Sequence, residues 1–192
     1  KLLAVLGDED PTPEVVEELT RQALSENALV AKAALRALAF LQVPEALGGI
    51  LQRLHDDLPE VRIQARAALV HRVRGGDAEA VYYLVDDIQR FASAPDAHFL
   101  QVLGEVPTSA DVLRALRAVV DRAGHEERLT ALSCLLVHGD EDAIARVEEM
   151  IRSGDTIARV NAMRMAALAR VVLAVDMWEP ILAGGNYQDA LN

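Results

Sequence analysis

Residues 57–91 read DLPEVRIQARAALVHRVRGGDAEAVYYLVDDIQRF, and the punctuation of this stretch decides the fold class. Asp57-Leu58-Pro59-Glu60 is a helix-start signal, with proline in the first turn and acids where the helix dipole favours them. Val61, Ala65, Ala68, Leu69 and Val73 follow at helical spacing as one apolar stripe. Gly75-Gly76-Asp77 then stops that helix and caps the next. Ala78, Val81, Val85, Ile88 and Phe91 form a second stripe, with Tyr82 on its flank. Helices this short are marginal alone in water, because nucleation is costly. They persist when two stripes face each other and further pairs stack on either side, burying a continuous core.

The same grammar recurs along the chain. Gly7-Asp8-Glu9-Asp10 returns as Gly139-Asp140-Glu141-Asp142, each time directly after an apolar helix end, Leu3-Ala4-Val5-Leu6 and Leu135-Leu136-Val137-His138. Their separation divides into four steps of about 33 residues, a length typical of helix-pair repeats. Intermediate helix ends fall near that period at Leu38-Ala39-Phe40-Leu41, at Leu69 to Val73 and at Leu100 to Gly104. The pattern predicts helices at 13–24, 28–41, 45–55, 59–73, 78–91, 96–104, 110–123, 126–138, 141–152 and 156–173. A last short helix is expected at 177–183, with Pro180 in its first turn, before a frayed tail at 184–192. Gly48-Gly49 falls inside the predicted 45–55 helix, where each glycine costs about 1 kcal/mol relative to alanine. A bend there, or a neighbour approaching the backbone closely, is expected.

Val61-Arg62, Ala65, Ala68 and Leu69 resemble the first helix of a HEAT repeat of the short kind also found in phycobilin-lyase-like proteins. Val30, Ala34, Ala37 and Leu38 match the same frame, with Ala31 in place of the arginine. Glu127-Arg128, Ala131, Cys134 and Leu135 match it with cysteine standing for alanine, and Ala158-Arg159, Ala162 and Met165 match more loosely. Asp96 to Val106 fits worst, with His98 and Phe99 near the place of the Val-Arg pair. The resemblance covers most of the chain and implies an all-α, α–α superhelix (a HEAT/armadillo-like solenoid) of about five to six stacked helix pairs. A single array is expected over 1–183. The chain opens on what reads as the tail of a helix, so a preceding segment is also expected.

Composition agrees with helices. Of 192 residues, 52% are hydrophobic but only 4% aromatic, so alanine, leucine and valine dominate the apolar fraction. The formal net charge is −11, and lysine occurs only at Lys1 and Lys32. Such a surface repels phosphate backbones and anionic membranes, which excludes nucleic acid and membrane as expected partners. It is also opposite in sign to the basic groove of a repeat-built DNA glycosylase. No apolar run reaches the ~18–20 residues needed to span a bilayer, and no signal-peptide pattern opens the chain, so the expected location is cytoplasmic. Oligomeric state stays open.

Candidate chemistry is sparse. Cys134 is the only cysteine, which excludes an internal disulfide and a multi-thiolate zinc site, and it reads as a small apolar core residue. Asp8-Glu9-Asp10 and Asp140-Glu141-Asp142 lack the alternating acids, central glycine and distal glutamate of a calcium loop, and read as helix caps and first-turn acids. His125-Glu126 is similar to the metal-binding pairs of the HEAT-like deoxyhypusine hydroxylases, but it stands alone where that family converges several, so His125 reads as a helix-start residue. No Gly-x-Ser-x-Gly, P-loop or Gly-x-Gly-x-x-Gly is present. No catalytic residue, cofactor or metal site is therefore expected.

What remains is a set of acidic pairs on the second helices, Glu17-Glu18, Asp86-Asp87 and Glu148-Glu149, with Tyr82 and Tyr83 nearby in sequence. Second helices line the concave face in HEAT arrays, so the resemblance implies an acidic concave groove that steers a basic segment of another protein. Solubility, with neighbouring arginines in weak pairs one turn away, is the competing account. A protein-interaction scaffold is the expected function. The alternative is a subunit or enzyme of the lyase-like class, acting on a bound cofactor or modified protein.

Overall fold

Local start and stop signals place every helix of the described chain. The computed structural model describes residues 11–41, 43–152 and 155–169, and no strand occurs among them. The elements are α1 (Pro13–Ala23), α2 (Ala28–Phe40), α3 (Pro44–Leu51), α4 (Pro59–Arg74), α5 (Ala78–Arg90), α6 (Ala97–Leu103), α7 (Ala110–Arg122), α8 (His125–Val137), α9 (Glu141–Arg152) and α10 (Thr156–Ala169). Pro13, Pro44 and Pro59 occupy first positions, where no amide is missed. Asn27, Asp96 and Ser109 accept amide hydrogen bonds at the starts of α2, α6 and α7. No described helix is long and apolar enough to cross a membrane. The expected helix at 177–183, the tail, the end of the 156–173 helix and the Gly7–Asp10 motif lie outside the described residues.

Two corners share one construction. Gly76 and Gly139 take positive φ (85° and 72°), where a side chain would be strained. The residue after each closes the outgoing helix, Asp77 N–H donating to the Arg72 carbonyl (3.2 Å) and Asp140 N–H to the Leu135 carbonyl (3.0 Å). Each of these aspartates then opens the next helix. Asp77 Oδ1 accepts from the amides of Glu79 and Ala80, and Asp140 Oδ1 from that of Ala143. Oδ2 of each takes a guanidinium, Arg72 Nε to Asp77 at 2.7 Å and Arg117 Nη2 to Asp140 at 2.6 Å. Arg72 is itself only 2% exposed and donates its Nη1 to the Leu41 carbonyl.

The chain forms two compact units, Lys1–Leu84 and Val85–Asn192, divided within α5. In the first, α2 packs on α1 and α4, and α1 on α3. In the second, α8 packs on α6, α7, α9 and α10, and α10 also packs on α9. Alternate helices thus lie against each other within each unit, α2 on α4 and α1 on α3 in one, α6 on α8 and α8 on α10 in the other. Leu35, Leu38, Leu47, Ile50 and Leu69 are fully buried in the first unit, Phe99, Leu100, Leu103, Leu116 and Leu136 in the second.

The stripe expected on α4 is buried throughout. The one expected on α5 holds in part: Val85 and Ile88 are buried, but Ala80 and Leu84 join them in place of Ala78 and Phe91, which are exposed, and Val81, which is partly covered. Both rows are apolar, so spacing alone does not choose between them. Val30 also departs from its frame, being 38% exposed where its counterpart Val61 is fully buried. The arginine of the frame has a visible role. Arg62 donates to the Asp56 carbonyl (2.5 Å) and Arg128 to the Ala123 carbonyl (3.1 Å), so each helix holds the loop that leads into it. In α2, where Ala31 replaces that arginine, Arg53 reaches the Ser25 carbonyl instead at 3.5 Å.

Helix α3 ends at Leu51, short of the expected residue 55, and the residues that follow are turns. Its two glycines differ. A Cβ at Gly49 would lie 3.0 Å from Leu38 Cδ1 and 3.2 Å from Thr20, whereas one at Gly48 would meet nothing within 4 Å. Gly49 is therefore the close approach, packing α3 against α1 and α2. Gly48→Ala should raise stability by about 0.5–1 kcal/mol through helix propensity, and Gly49→Ala should lower it by overpacking, both measured by urea unfolding.

Burial pushes the Asp77 carboxyl up, but the Ala80 amide, the Arg72 guanidinium and the Glu79 amide outweigh it and hold the pKa below the usual carboxylate range. A depressed carboxylate stabilises above its unfolded pKa of about 3.9 and loses that contribution as pH falls through the folded value. Arg72→Met strands both Asp77 and the Leu41 carbonyl, and should cost about 3 kcal/mol at neutral pH. The deficit against the parent should narrow in urea titrations below about pH 4.

Candidate functional site

The eight expected site residues are distributed over both units. Glu17 and Glu18 lie on α1, and Tyr82 and Tyr83 on the first part of α5. Asp86 and Asp87 lie on the second part of α5, and Glu148 and Glu149 on α9. Their helical spacing puts most of them at the surface, but the acids are not equivalent.

One acid of each pair is engaged by an arginine one turn along its own helix. Arg21 grips Glu18 with Nη2 at 2.6 Å and Nε at 2.9 Å, and Gln22 adds a third bond at 2.7 Å. These bonds, Arg21's first, hold the Glu18 carboxyl below its ordinary pKa. Arg90 meets Asp86 at 2.8 Å, and Arg152 meets Glu148 at 3.7 Å. Such exposed pairs contribute little stability, yet each cancels a charge that a partner would otherwise feel. Asp87 is only 7% exposed and sits on the inward row of α5 with Leu84 and Ile88. Glu17 and Glu149 are exposed and have no ion pair among the described residues. Tyr82 is 65% exposed, and its ring meets the partly covered Tyr83 edge-on with centroids 5.4 Å apart.

Glu17 lines a concavity of the first unit. A groove of about 640 Å³ opens beside α1 and the start of α3, lined by Val16, Thr20 and Leu24 at four-residue spacing and by Pro11, Pro13 and Val43. Glu17, Arg21 and Glu45 supply its polar groups. Of these lining residues only Glu17 is a candidate from the sequence, because the meeting of Val16, Thr20 and Leu24 with Val43 and Glu45 depends on the packing of α1 on α3.

The second unit has a cleft of about 230 Å³ among Arg117, Asp121, Asp140, Asp142 and Arg146. Its charges are already matched internally, Arg117 to Asp140 and Asp142, and Arg146 to Asp121 at 3.9 Å. A wider concavity of about 590 Å³ holds Glu149 beside Val120, Leu132, Arg128 and Met150.

The remaining candidates resolve into structural parts. Asp140 is buried, with Oδ1 on an amide and Oδ2 on Arg117, and Glu141 and Asp142 occupy the first turn of α9. That is capping geometry. Among the described residues no three of His, Cys, Asp and Glu gather as a metal site would require. His125 is the first residue of α8, behind Gly124 at the cap. His138 is engaged at both ring nitrogens: Nε2 lies 2.7 Å from the Leu103 carbonyl and Nδ1 2.9 Å from Thr108 Oγ1. A carbonyl only accepts, so Nε2 carries a proton.

No protein-family model, curated protein or solved structure matches this chain.

Cys134 is buried, donates to the Leu100 carbonyl at 3.2 Å, and packs its sulfur where a Cβ at Gly104 would stand 3.0 Å away. Burial pushes its thiol up to about 11, with Glu105 adding to the rise and the Gly104 backbone opposing it. Because the thiolate is the reactive form, native protein at pH 8 should resist a disulfide-exchange reagent. One equivalent should react promptly once denaturant unfolds the second unit. Stoichiometric labelling of the native protein within seconds would contradict this assignment.

Proposed function

We propose that this chain is a non-catalytic protein-interaction scaffold built from short HEAT-like helix pairs, an α–α superhelix of about five to six pairs that takes a basic segment of another protein. The observation that carries the reading is the packing order inside each unit, first helix on first helix (α2 on α4, α6 on α8, α8 on α10) and second on second (α1 on α3). Serial hairpins of this kind present the faces of their second helices to a partner. Within the three acidic pairs, the arginine pairing described above leaves Glu17 in the first unit and Glu149 in the second, each beside an open concavity. A partner carrying lysine or arginine complements those carboxylates and the net charge of −11, and nucleic acid does not.

Capture experiments with the parent chain and with a Glu17→Lys, Glu149→Lys double variant test this reading. Protein partners from the source cell should be retained at low salt and released as ionic strength approaches 1 M, where the Debye length falls to about 3 Å. The double variant should retain them poorly. An identical set of partners with both proteins, indifferent to salt, would remove the acidic-surface reading.

A further inference from the structure

The groove on α1 and α3 combines two features that specify an occupant. Its floor is apolar: Val16 and Val43 line it, and Leu24, at the end of α1, remains 43% exposed. Its polar groups divide by charge state. Arg21 is occupied by the bidentate contact to Glu18, whereas Glu17 and Glu45 reach the groove from different helices with no ion pair among the described residues. An apolar floor beside two uncompensated carboxylates and one neutralised arginine is a recognition surface of negative sign.

We propose that this groove binds a short peptide segment of a partner protein in which a bulky apolar side chain stands next to an arginine or lysine. The apolar side chain fills the space over Val16, Leu24 and Val43, and the cation pairs with Glu17 and Glu45. Thr20, in the middle of the row, supplies a hydroxyl for the peptide backbone. A second copy of this chain is the poorer occupant, since it brings 30 acidic residues against 19 basic ones. The inference rests on the scaffold reading and narrows it to one place and one ligand chemistry.

The test uses two fluorescent eight-residue peptides, identical in their leucines but carrying either two arginines or two glutamates, titrated into the full chain by anisotropy. The arginine peptide should bind saturably with a dissociation constant on the order of 10 μM, a value expected of a small transient site, and the glutamate peptide should not bind. Glu17→Lys with Glu45→Lys should weaken the arginine peptide at least tenfold, and Leu24→Ser should do likewise, while Glu126→Lys, at an exposed position on the other unit, leaves it unchanged. Thermal transitions matching the parent confirm that these surface variants fold. Absence of saturable binding, or binding equally strong in the Glu17 and Glu45 variants, overturns the proposal. So does binding that appears only after residues 1–6 are removed, since the groove would then belong to the chain's own Leu2–Leu6 run. If this peptide fails while cellular partners still respond to Glu149→Lys, the groove assignment alone falls; if both fail, the scaffold reading falls with it.

Discussion

An aspartate with two obligations holds each described glycine corner together. One carboxylate oxygen closes the start of a helix, and the other receives a guanidinium, while the preceding glycine supplies the positive φ that turns the chain. A helix of twelve or thirteen residues is not self-supporting, so its direction has to be imposed where it begins. The corner does this by satisfying amides that would otherwise be orphaned and by joining the turn to a side chain of the packed helices. Buried alanines such as Ala34, Ala65 and Ala68 then let neighbouring helices approach closely, and the alternate-helix packing of each unit follows.

The surface obeys a different economy. A chain with this excess of acid appears at first to offer carboxylates everywhere, yet helical spacing sets arginines at three or four residues from many of them. Those pairs are weak as sources of stability but effective as local neutralisation. The local field at each place on the surface therefore depends on which acids have such a neighbour, and the total charge does not reveal it.

Much of the fold was legible because the signals are local. Proline at first positions and Asn27, Asp96 and Ser109 at caps mark helix starts through hydrogen bonds within three residues. The pairing of Glu18, Asp86 and Glu148 could likewise be read from spacing. Less was legible where partners come from afar. Arg72 sits among the apolar residues of α4, and nothing beside it announces the Leu41 carbonyl, 31 positions earlier in the chain. The inward face of α5 was misplaced in its first half, because Ala78 and Val81 imitate Ala80 and Leu84. The floor of the α1 groove is assembled by tertiary packing, so Val43 and Glu45 carry no sign of it in their own neighbourhood.

The two corner aspartates obtain their cations differently. Asp77 is served from within its own hairpin, by Arg72 five positions earlier, and Asp140 by Arg117, 23 positions earlier on α7, with the whole of α8 in between. The same bond is thus made by donors at different places in the chain. A contact that different donors can make constrains geometry more tightly than it constrains letters. Column-by-column comparison is then blind to much of what two hairpins share, and kinship among chains built this way is better sought in the map of which groups are satisfied than in the residues that satisfy them.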